Sequence, residues 1–303
     1  MIAQVNTPRQ RQRFLNACRG KLCCGATLPL ALQLLGKAQP GRFFAGPTLA
    51  LDIGGRTAWA AGHANPEELA SFLNFCGCRA VILDEAECPP PVGWQKTCDH
   101  TIFGLAAGEQ LPLPAQTEAQ KALWDSLTFV EDPASGPVAE NLFPDRPARR
   151  DDFYSELCTK RSRGKALVWT LEQGGNIVCT VGAYALCNGQ AYMACGQTAE
   201  ALRGQRVGGR LIVQMANALS AQGDQPVFLC SPERVHFYTQ LGFHPLGTLA
   251  RYESPIGKDL NMSMLNHFFD YKPEVLALDE KAMELCQPYF RHMEEIRKIV
   301  LSF

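Results

Sequence analysis

The sequence lacks an excess of charge of either sign. Its 29 lysine and arginine residues nearly balance 30 aspartate and glutamate residues, which leaves a net charge of −1 over 303 residues. Proteins that bind nucleic acid or an anionic membrane surface usually carry a basic patch or a net positive field. We therefore expect no nucleic-acid partner and no membrane partner.

Long hydrophobic runs are also missing. The longest apolar run, near residues 28–35, is interrupted by Pro29. It is far shorter than the roughly twenty apolar residues that a membrane-spanning helix needs. The first residues, MIAQVNTPRQRQRF, lack the apolar centre of a signal peptide. These absences predict a cytoplasmic protein.

The cysteines lack the spacing of a metal site. There are 13 of them, an odd and high number, and many lie inside apolar runs. The adjacent pair Cys23 and Cys24, and the pair Cys76 and Cys78, do not show the CxxC spacing that is typical of structural zinc sites. The sequence predicts buried free thiols and no metal.

One stretch is rich in glycine and arginine and lies between a strand pattern and a helix pattern. Residues 197–212 read QTAEALRGQRVGGRLI, and the short apolar run of residues 191–195 precedes them. The apolar residues that follow recur at helical spacing: Val207, Leu211, Met215 and Leu219. A strand, a glycine-rich loop and a helix are therefore predicted in that order.

This order of elements favours a binding site for phosphate. Gly204, Gly208 and Gly209 have no Cβ atom, so a ligand can approach their amides closely. The first amides of a helix have no intrahelical acceptor and lie at the positive end of the helix dipole. A solvated helix start is the alternative interpretation.

A second stretch shortly downstream completes the pattern. It reads PVFLCSPERVHFYTQLGF, with a buried strand predicted over residues 227–230, a helix start, an aromatic pair and a Gly-Phe turn. Together the two stretches resemble the GNAT superfamily of acyl-coenzyme A dependent N-acyltransferases. The resemblance covers roughly residues 127–252. It implies an α+β fold with a mixed, mostly antiparallel sheet flanked by helices, and acetyl-CoA as cosubstrate.

The resemblance also implies roles for individual residues. In the family motif an Arg or Gln is followed by two residues, a glycine, one residue and a second glycine, and Arg206 stands where the first glycine is usual. Arg206 either binds a cofactor phosphate or closes the loop. The residues that the resemblance assigns to the cofactor are Gln197, Thr198, Arg203, Gly204, Gln205, Arg206, Val207, Gly208, Gly209 and Ser231.

Tyr238 matches the tyrosine that protonates the departing thiolate in this family. A packed aromatic residue is the alternative role for it. No Asp or Glu lies between Ala183 and Thr198, so the strand before the loop offers no carboxylate base. Nothing in the sequence selects Glu131, Glu172 or Glu200 as a base, and the acceptor remains an unidentified small amine.

Three segments are predicted along the chain. Residues 1–118 form a smaller domain of strands and helices that we interpret as a degenerate copy of the same fold without a phosphate loop, residues 119–255 form the acyltransferase domain, and residues 256–303 form a helical extension. The linker is placed at residues 108–118, which are rich in proline and polar residues. A monomer or a homodimer is expected.

Three functions follow as hypotheses. The first is an acetyltransferase that acts on an amine through a ternary complex, with Tyr238 as general acid. The second is a catalytically silent acyl-CoA binding or sensing protein, suggested by Arg206 and Ser231 and by the missing strand carboxylate. The third is a tRNA-dependent aminoacyl transferase, against which the near-neutral charge argues.

Overall fold

The computed structural model describes residues 1–255, apart from the side chains of Pro40 and Cys195, and the strands in that range form one twelve-stranded sheet. The predicted helical extension over residues 256–303 lies outside the described residues. The strands are β1 (Ala3–Gln4), β2 (Phe43–Ala45), β3 (Thr48–Gly54), β4 (Thr57–His63), β5 (Ala80–Leu83), β6 (Gln95–Gly104), β7 (Thr128–Val130), β8 (Leu167–Gln173), β9 (Asn176–Cys187), β10 (Gln190–Thr198), β11 (Gln225–Cys230) and β12 (His244–Glu253).

Helices connect these strands and cover both faces of the sheet. They are α1 (Pro8–Cys18), α2 (Cys24–Leu35), α3 (Pro66–Phe75), α4 (Glu118–Asp125), α5 (Ser135–Leu142), α6 (Pro147–Arg161), α7 (Val207–Ala221) and α8 (Val235–Gln240). Ala191 and Met193 of β10 pack in the same core cluster as α7, whereas Tyr192 between them packs with α2. Successive side chains of a strand point to opposite faces, so α7 and α2 lie on opposite faces.

The order of the strands is symmetric about the centre of the sheet. It runs β1-β2-β3-β4-β5-β12-β6-β11-β10-β9-β8-β7, so β1–β5 approach the centre from one edge as β7–β11 do from the other. Only β4 with β5 and β10 with β11 are parallel pairs. The predicted mixed, mostly antiparallel sheet is confirmed, and the first half repeats the strand order of the second half.

The two halves exchange their last strands at the centre. β6 of the first half pairs with β11 of the second half, with Gly104 opposite Val227, while β12 of the second half pairs with β5, with Glu253 opposite Ala80. β6 and β12 also pair with each other. Each half therefore completes the sheet of the other. The division into domains at residue 118 stays a prediction about the chain.

Local sequence signals explain where several elements begin. Thr7 and Gln10 form a capping box at the start of α1, as Thr117 and Gln120 do at the start of α4. Asn188 has a φ of 55° and, with Gly189, forms the turn between β9 and β10, for which an Asn-Gly pair is well suited. The apolar run of residues 28–35 falls in α2, which contains Pro29 as its sixth residue.

The first half also holds the β9–β10 hairpin in place. The buried side chain of Gln190 accepts a hydrogen bond from the Cys23 amide at 3.1 Å and donates one to the Lys21 carbonyl at 3.0 Å. Asn188 Nδ2 donates to the Gly25 carbonyl at 2.8 Å. A buried amide side chain is costly without partners, so these bonds fasten the start of α2 to the hairpin.

The eleven cysteines whose side chains the structure describes are free, and most of them are buried. Burial raises the pKa of the Cys88 thiol to about 11.

Within residues 1–255, no helix is long and apolar enough to cross a membrane, and no cluster of three His, Cys, Asp or Glu side chains is placed to hold a metal ion.

Replacement of Gly104 by alanine tests the exchanged central strands. A Cβ atom there would collide with the Pro226 carbonyl oxygen and lie 2.8 Å from Leu246 Cδ1. We expect Gly104→Ala to lower the free energy of unfolding by about 1–3 kcal/mol, the usual cost of overpacking, as measured by urea denaturation. Gly136→Ala in α5, where a Cβ atom meets nothing within 4 Å, is the matched control. Equal stability of the two variants would contradict the packing of β6 against β11.

Candidate functional site

The two parallel strands of the second half separate beside α7. β10 and β11 pair over only three positions, from Gln190 with Gln225 to Tyr192 with Val227. Beyond Tyr192, β10 continues against β9 alone, and its pairing is irregular between Ala194 and Gln197. The separation opens a space at the edge of β10, where an extended ligand could pair with the backbone.

The first turn of α7 has amides without acceptors. Among the described residues, no atom accepts a hydrogen bond from the amides of Arg206, Val207, Gly208 or Gly209, and the first bond of the helix runs from Arg210 N to Arg206 O at 3.0 Å. No side chain caps this helix start. Unpaired amides at the positive end of a helix dipole form a binding site for an anion.

Two glycines allow the helix to begin at this place. A Cβ atom on Gly208 would collide with Thr198 Oγ1 on β10, and one on Gly209 would lie 2.9 Å from Leu241 Cδ2. The absence of side chains therefore lets α7 approach β10 on one side and the residue after α8 on the other. Gly204, earlier in the loop, has a φ of 78°, which a glycine adopts without strain.

A cavity of about 1280 Å³ lies between these elements. Its wall includes most of the residues that the sequence singled out: Gln197, Thr198, Arg203, Gly204, Arg206, Val207, Gly208, Gly209 and Tyr238. Gln205 and Ser231 do not line it. The Ser231 hydroxyl instead donates a hydrogen bond to Glu233. The structure brings nine predicted residues together around one cavity and leaves these two outside it.

The charges around the cavity have one sign. Arg203, Arg206 and Arg234 line it, and no carboxylate belongs to its wall in the described part of the chain. Arg203 Nε donates to the Thr198 carbonyl at 3.2 Å, which fixes its stem beside β10. Three guanidinium groups together with unpaired amides suit a ligand that carries several phosphates.

The Gln197 side chain is hydrogen-bonded to the end of α5. Its Nε2 donates to the Asn141 carbonyl at 3.1 Å, at the end of α5. The Asn141 side chain makes two more hydrogen bonds. Its Oδ1 accepts one from the Thr180 hydroxyl at 3.2 Å, and its Nδ2 donates one to the Ile177 carbonyl at 3.2 Å. Asn141 thus ties α5 to the strands that form the cavity floor. No pattern in the sequence pointed to it.

Arg206 adopts a backbone conformation that favours glycine. Its φ is 61° and its ψ is 6°, in the left-handed region. This conformation costs a residue with a Cβ atom about 1–2 kcal/mol relative to glycine. The strain explains why glycine is usual at this position of the family motif. The exposed Arg206 side chain lies at the cavity, where its charge can meet an anion.

Tyr238 packs among aromatic residues and also lines the cavity. Its ring packs 4.6 Å from the ring of Phe228 and 5.9 Å from that of Phe103, measured between centroids, and the same side chain lines the cavity. Burial raises the pKa of the Tyr238 hydroxyl above its ordinary value, and the nearby Arg234 guanidinium partly opposes this rise. The hydroxyl is therefore protonated at neutral pH.

Sequence reasoning missed part of the cavity wall. Pro112, Leu113, Pro114 and Ala115, which the sequence indicated as part of a linker, line the cavity together with residues of α8. Proline and exposed apolar residues in a connection carry no periodic signal, so only the folded chain reveals this role. Arg234 lay within the second stretch but had no motif of its own.

The three glutamates that the sequence offered as possible bases lie away from the cavity. Glu131, Glu172 and Glu200 do not line it. Tyr184 is buried and packs against Phe153, with ring centroids 5.4 Å apart, and Tyr192 packs between core clusters. Both tyrosines thus have core positions.

The corresponding helix of the first half has no such site. The side chain of Asn65 accepts a hydrogen bond from the Glu68 amide at 2.9 Å at the start of α3. Cys88 and Trp94 are buried in the adjacent core cluster. A side-chain cap and packed residues take the place of the glycine loop in this half.

The chain is similar to known proteins in its fold rather than in its sequence. No protein-family model and no curated protein sequence matches the chain. A GCN5-related N-acetyltransferase from Sphaerobacter thermophilus superposes with a TM-score of 0.56 at 13% identity, over 83% of this chain and 94% of that one. A tandem GNAT protein from the clavulanic acid biosynthesis pathway gives 0.54 at 12% identity, over 83% and 97%.

A GCN5-related N-acetyltransferase from Kribbella flavida gives a TM-score of 0.51 at 16% identity, over 74% of this chain and 93% of that one. Residues 1–255 therefore have the GNAT fold. The repeated strand order found above gives it a tandem form. The fold class that the sequence resemblance implied is confirmed.

Replacement of Arg206 separates its strain from its charge. We expect Arg206→Gly to raise the free energy of unfolding by about 1 kcal/mol, because glycine relieves the left-handed backbone. The same variant should bind coenzyme A about tenfold more weakly by calorimetry, because a charge-assisted hydrogen bond is lost. Arg206→Lys keeps both the strain and the charge and is the control. Tighter binding by Arg206→Gly would show that the arginine blocks the site.

Proposed function

We propose that the protein is an N-acetyltransferase that transfers an acetyl group from acetyl-CoA to the amine of a small molecule. The observation that carries this proposal is the first turn of α7. Among residues 1–255, its four amides have no acceptor, and the cavity wall holds three arginines and no carboxylate. A cosubstrate with three phosphate groups fits this set of donors. The GNAT fold supports the same assignment.

Separate groups of residues would bind the cosubstrate and protonate its leaving sulfur. The amides of Arg206–Gly209 and the side chains of Arg203, Arg206 and Arg234 would hold the phosphates. The open edge of β10 near Gly196 would pair with the amide groups of the pantetheine arm. Acetyl-CoA supplies the thioester. As the amine forms the new C–N bond and the C–S bond breaks, Tyr238 would give its proton to the leaving sulfur.

The acidity of Tyr238 is sufficient for this step. A thiol of ordinary pKa about 8.5 and a tyrosine near 10 differ by only ~1.5 units, so the proton transfer is uphill by ~2 kcal/mol. Burial raises the Tyr238 pKa and makes this step somewhat harder, whereas Arg234 acts in the opposite direction. The same burial keeps the proton on the hydroxyl until the sulfur leaves.

The absence of a carboxylate in the described cavity wall indicates the kind of amine that is accepted. Deprotonation of a lysine-like amine of pKa about 10.4 costs ~4.6 kcal/mol at pH 7, whereas an α-amine near 7.8 costs only ~1 kcal/mol. An acceptor of the second kind needs no strong base, and water can take its proton. We therefore propose an acceptor whose amine has a low pKa.

A second candidate is an acyl-CoA sensor without catalysis. The cavity wall without a carboxylate and the strained Arg206 favour it, since both depart from what an efficient acyltransferase needs. The sensor would bind acetyl-CoA tightly and release no thiol with any amine. Release of free thiol from acetyl-CoA in the presence of any amine would exclude the sensor.

Replacement of Tyr238 by phenylalanine tests the mechanism. Incubation with acetyl-CoA and a library of amines should release free thiol, detected with a thiol reagent. Tyr238→Phe should lower kcat at least about tenfold, because it removes general acid catalysis, which typically contributes about a hundredfold or more. The Kd of acetyl-CoA should stay unchanged.

Tyr154→Phe, which alters an exposed tyrosine on α6, should behave as the unaltered protein. Equal turnover of Tyr238→Phe and Tyr154→Phe would remove Tyr238 from the mechanism. A protein that binds no coenzyme A derivative would contradict the proposed function as a whole.

A further inference from the structure

The connection between the two halves lies along α7 and reaches the cavity. We define the strap as residues 112–115, Pro112, Leu113, Pro114 and Ala115, all of which line the cavity together with Gly208, Gly209 and Tyr238. Leu113 is 40% exposed. Among the described residues, no backbone group of the strap bonds to another backbone group outside it. Its position therefore depends on how its two ends are held.

The first end is held by one side chain of α7. Asn217 Oδ1 accepts a hydrogen bond from the Leu111 amide at 2.9 Å, and Asn217 Nδ2 donates to the Leu111 carbonyl at 2.8 Å. Gln110 Nε2 adds a bond to the Asn217 carbonyl at 2.9 Å. The paired bonds satisfy both backbone groups of Leu111, whose buried side chain approaches Gly242. A shorter side chain at position 217 could not make them.

The second end is held nearer the start of α7. The strap runs into α4, which begins at the Thr117 capping box, and the Arg210 guanidinium lies 5.0 Å from the centre of the Trp124 ring of α4. Leu123 and Trp124 pack against the core cluster that contains α7. Arg210 and Asn217 are two turns apart, about 10 Å along one side of the helix. The strap thus spans α7 between two attachments.

We propose that the strap is the outer wall of the acyl-CoA site and that Asn217 is a positioning residue that sets the affinity for the cosubstrate. This inference rests on the proposed function. A strap held in place presents Leu113 and two prolines to the bound molecule, and proline limits the backbone freedom that binding must remove. A strap released at Leu111 must be ordered again each time a ligand binds, which weakens binding without changing the groups near the reacting atoms.

The test measures acetyl-CoA binding by calorimetry and turnover by thiol release in the full chain. Asn217→Ala is expected to raise the Kd and the KM for acetyl-CoA about tenfold, because two hydrogen bonds to the strap are lost, and to change kcat less than twofold. Gln222→Ala, which alters an exposed amide side chain at the end of α7 and off the side that faces the strap, is the matched control and should leave both constants unchanged.

Leu113→Gly provides a second test that leaves α7 untouched. It removes the exposed apolar side chain of the strap and adds backbone freedom, so it should raise the Kd about threefold or more with little change in kcat. If Asn217→Ala does not fold, Leu113→Gly decides the question by itself.

The outcomes separate this inference from the proposed function. Unaltered protein that binds acetyl-CoA, together with strap variants that bind it equally well, would overturn the role of the strap alone. A fall in kcat without a change in Kd or KM would also overturn it, since it would place Asn217 in the chemistry or in general stability. Unaltered protein that binds no coenzyme A derivative would overturn both.

Discussion

The site depends on the close approach between the start of α7 and β10. This approach requires that Gly208 have no side chain, because Thr198 occupies the place of its Cβ atom. It leaves the first amides of the helix without protein acceptors, at the place where β10 and β11 no longer pair. The unpaired amides lie beside the open strand edge and the arginines of the cavity wall. A larger residue at position 208 would collide with Thr198 and separate the helix from the strand.

The exchanged central strands make the site a product of both halves. Phe103 lies on β6 of the first half, yet its ring packs on Phe228 and Tyr238 of the second half. The connection between the halves supplies one wall of the cavity, and the start of α2 holds the β9–β10 hairpin through Gln190. The first half has no glycine loop of its own. Its contribution is to support the tyrosine, the hairpin and the cavity wall of the second half.

The sequence predicted the strand, the glycine-rich loop and the helix of the site, because their signals are short in range. The apolar run of residues 191–195 falls in β10, and the helical spacing that begins at Val207 falls in α7. The glycine- and arginine-rich stretch contributed eight of the nine predicted residues at the cavity, and the second stretch contributed Tyr238. Ser231 and Gln205 were assigned by motif alone, and neither lines the cavity, because a motif position does not specify where a side chain points.

The sequence by itself determined the order of strand, glycine-rich loop and helix at β10 and α7, since periodicity and glycines act within a few residues. Only the tertiary structure decided which strands are neighbours at the centre of the sheet and which connection closes the cavity. β6 and β12 both lie at the centre of the sheet, and β6 is the strand that pairs with β11. The choice is made by packing between residues such as Phe103 and Phe228, more than a hundred positions apart, and no local pattern records it.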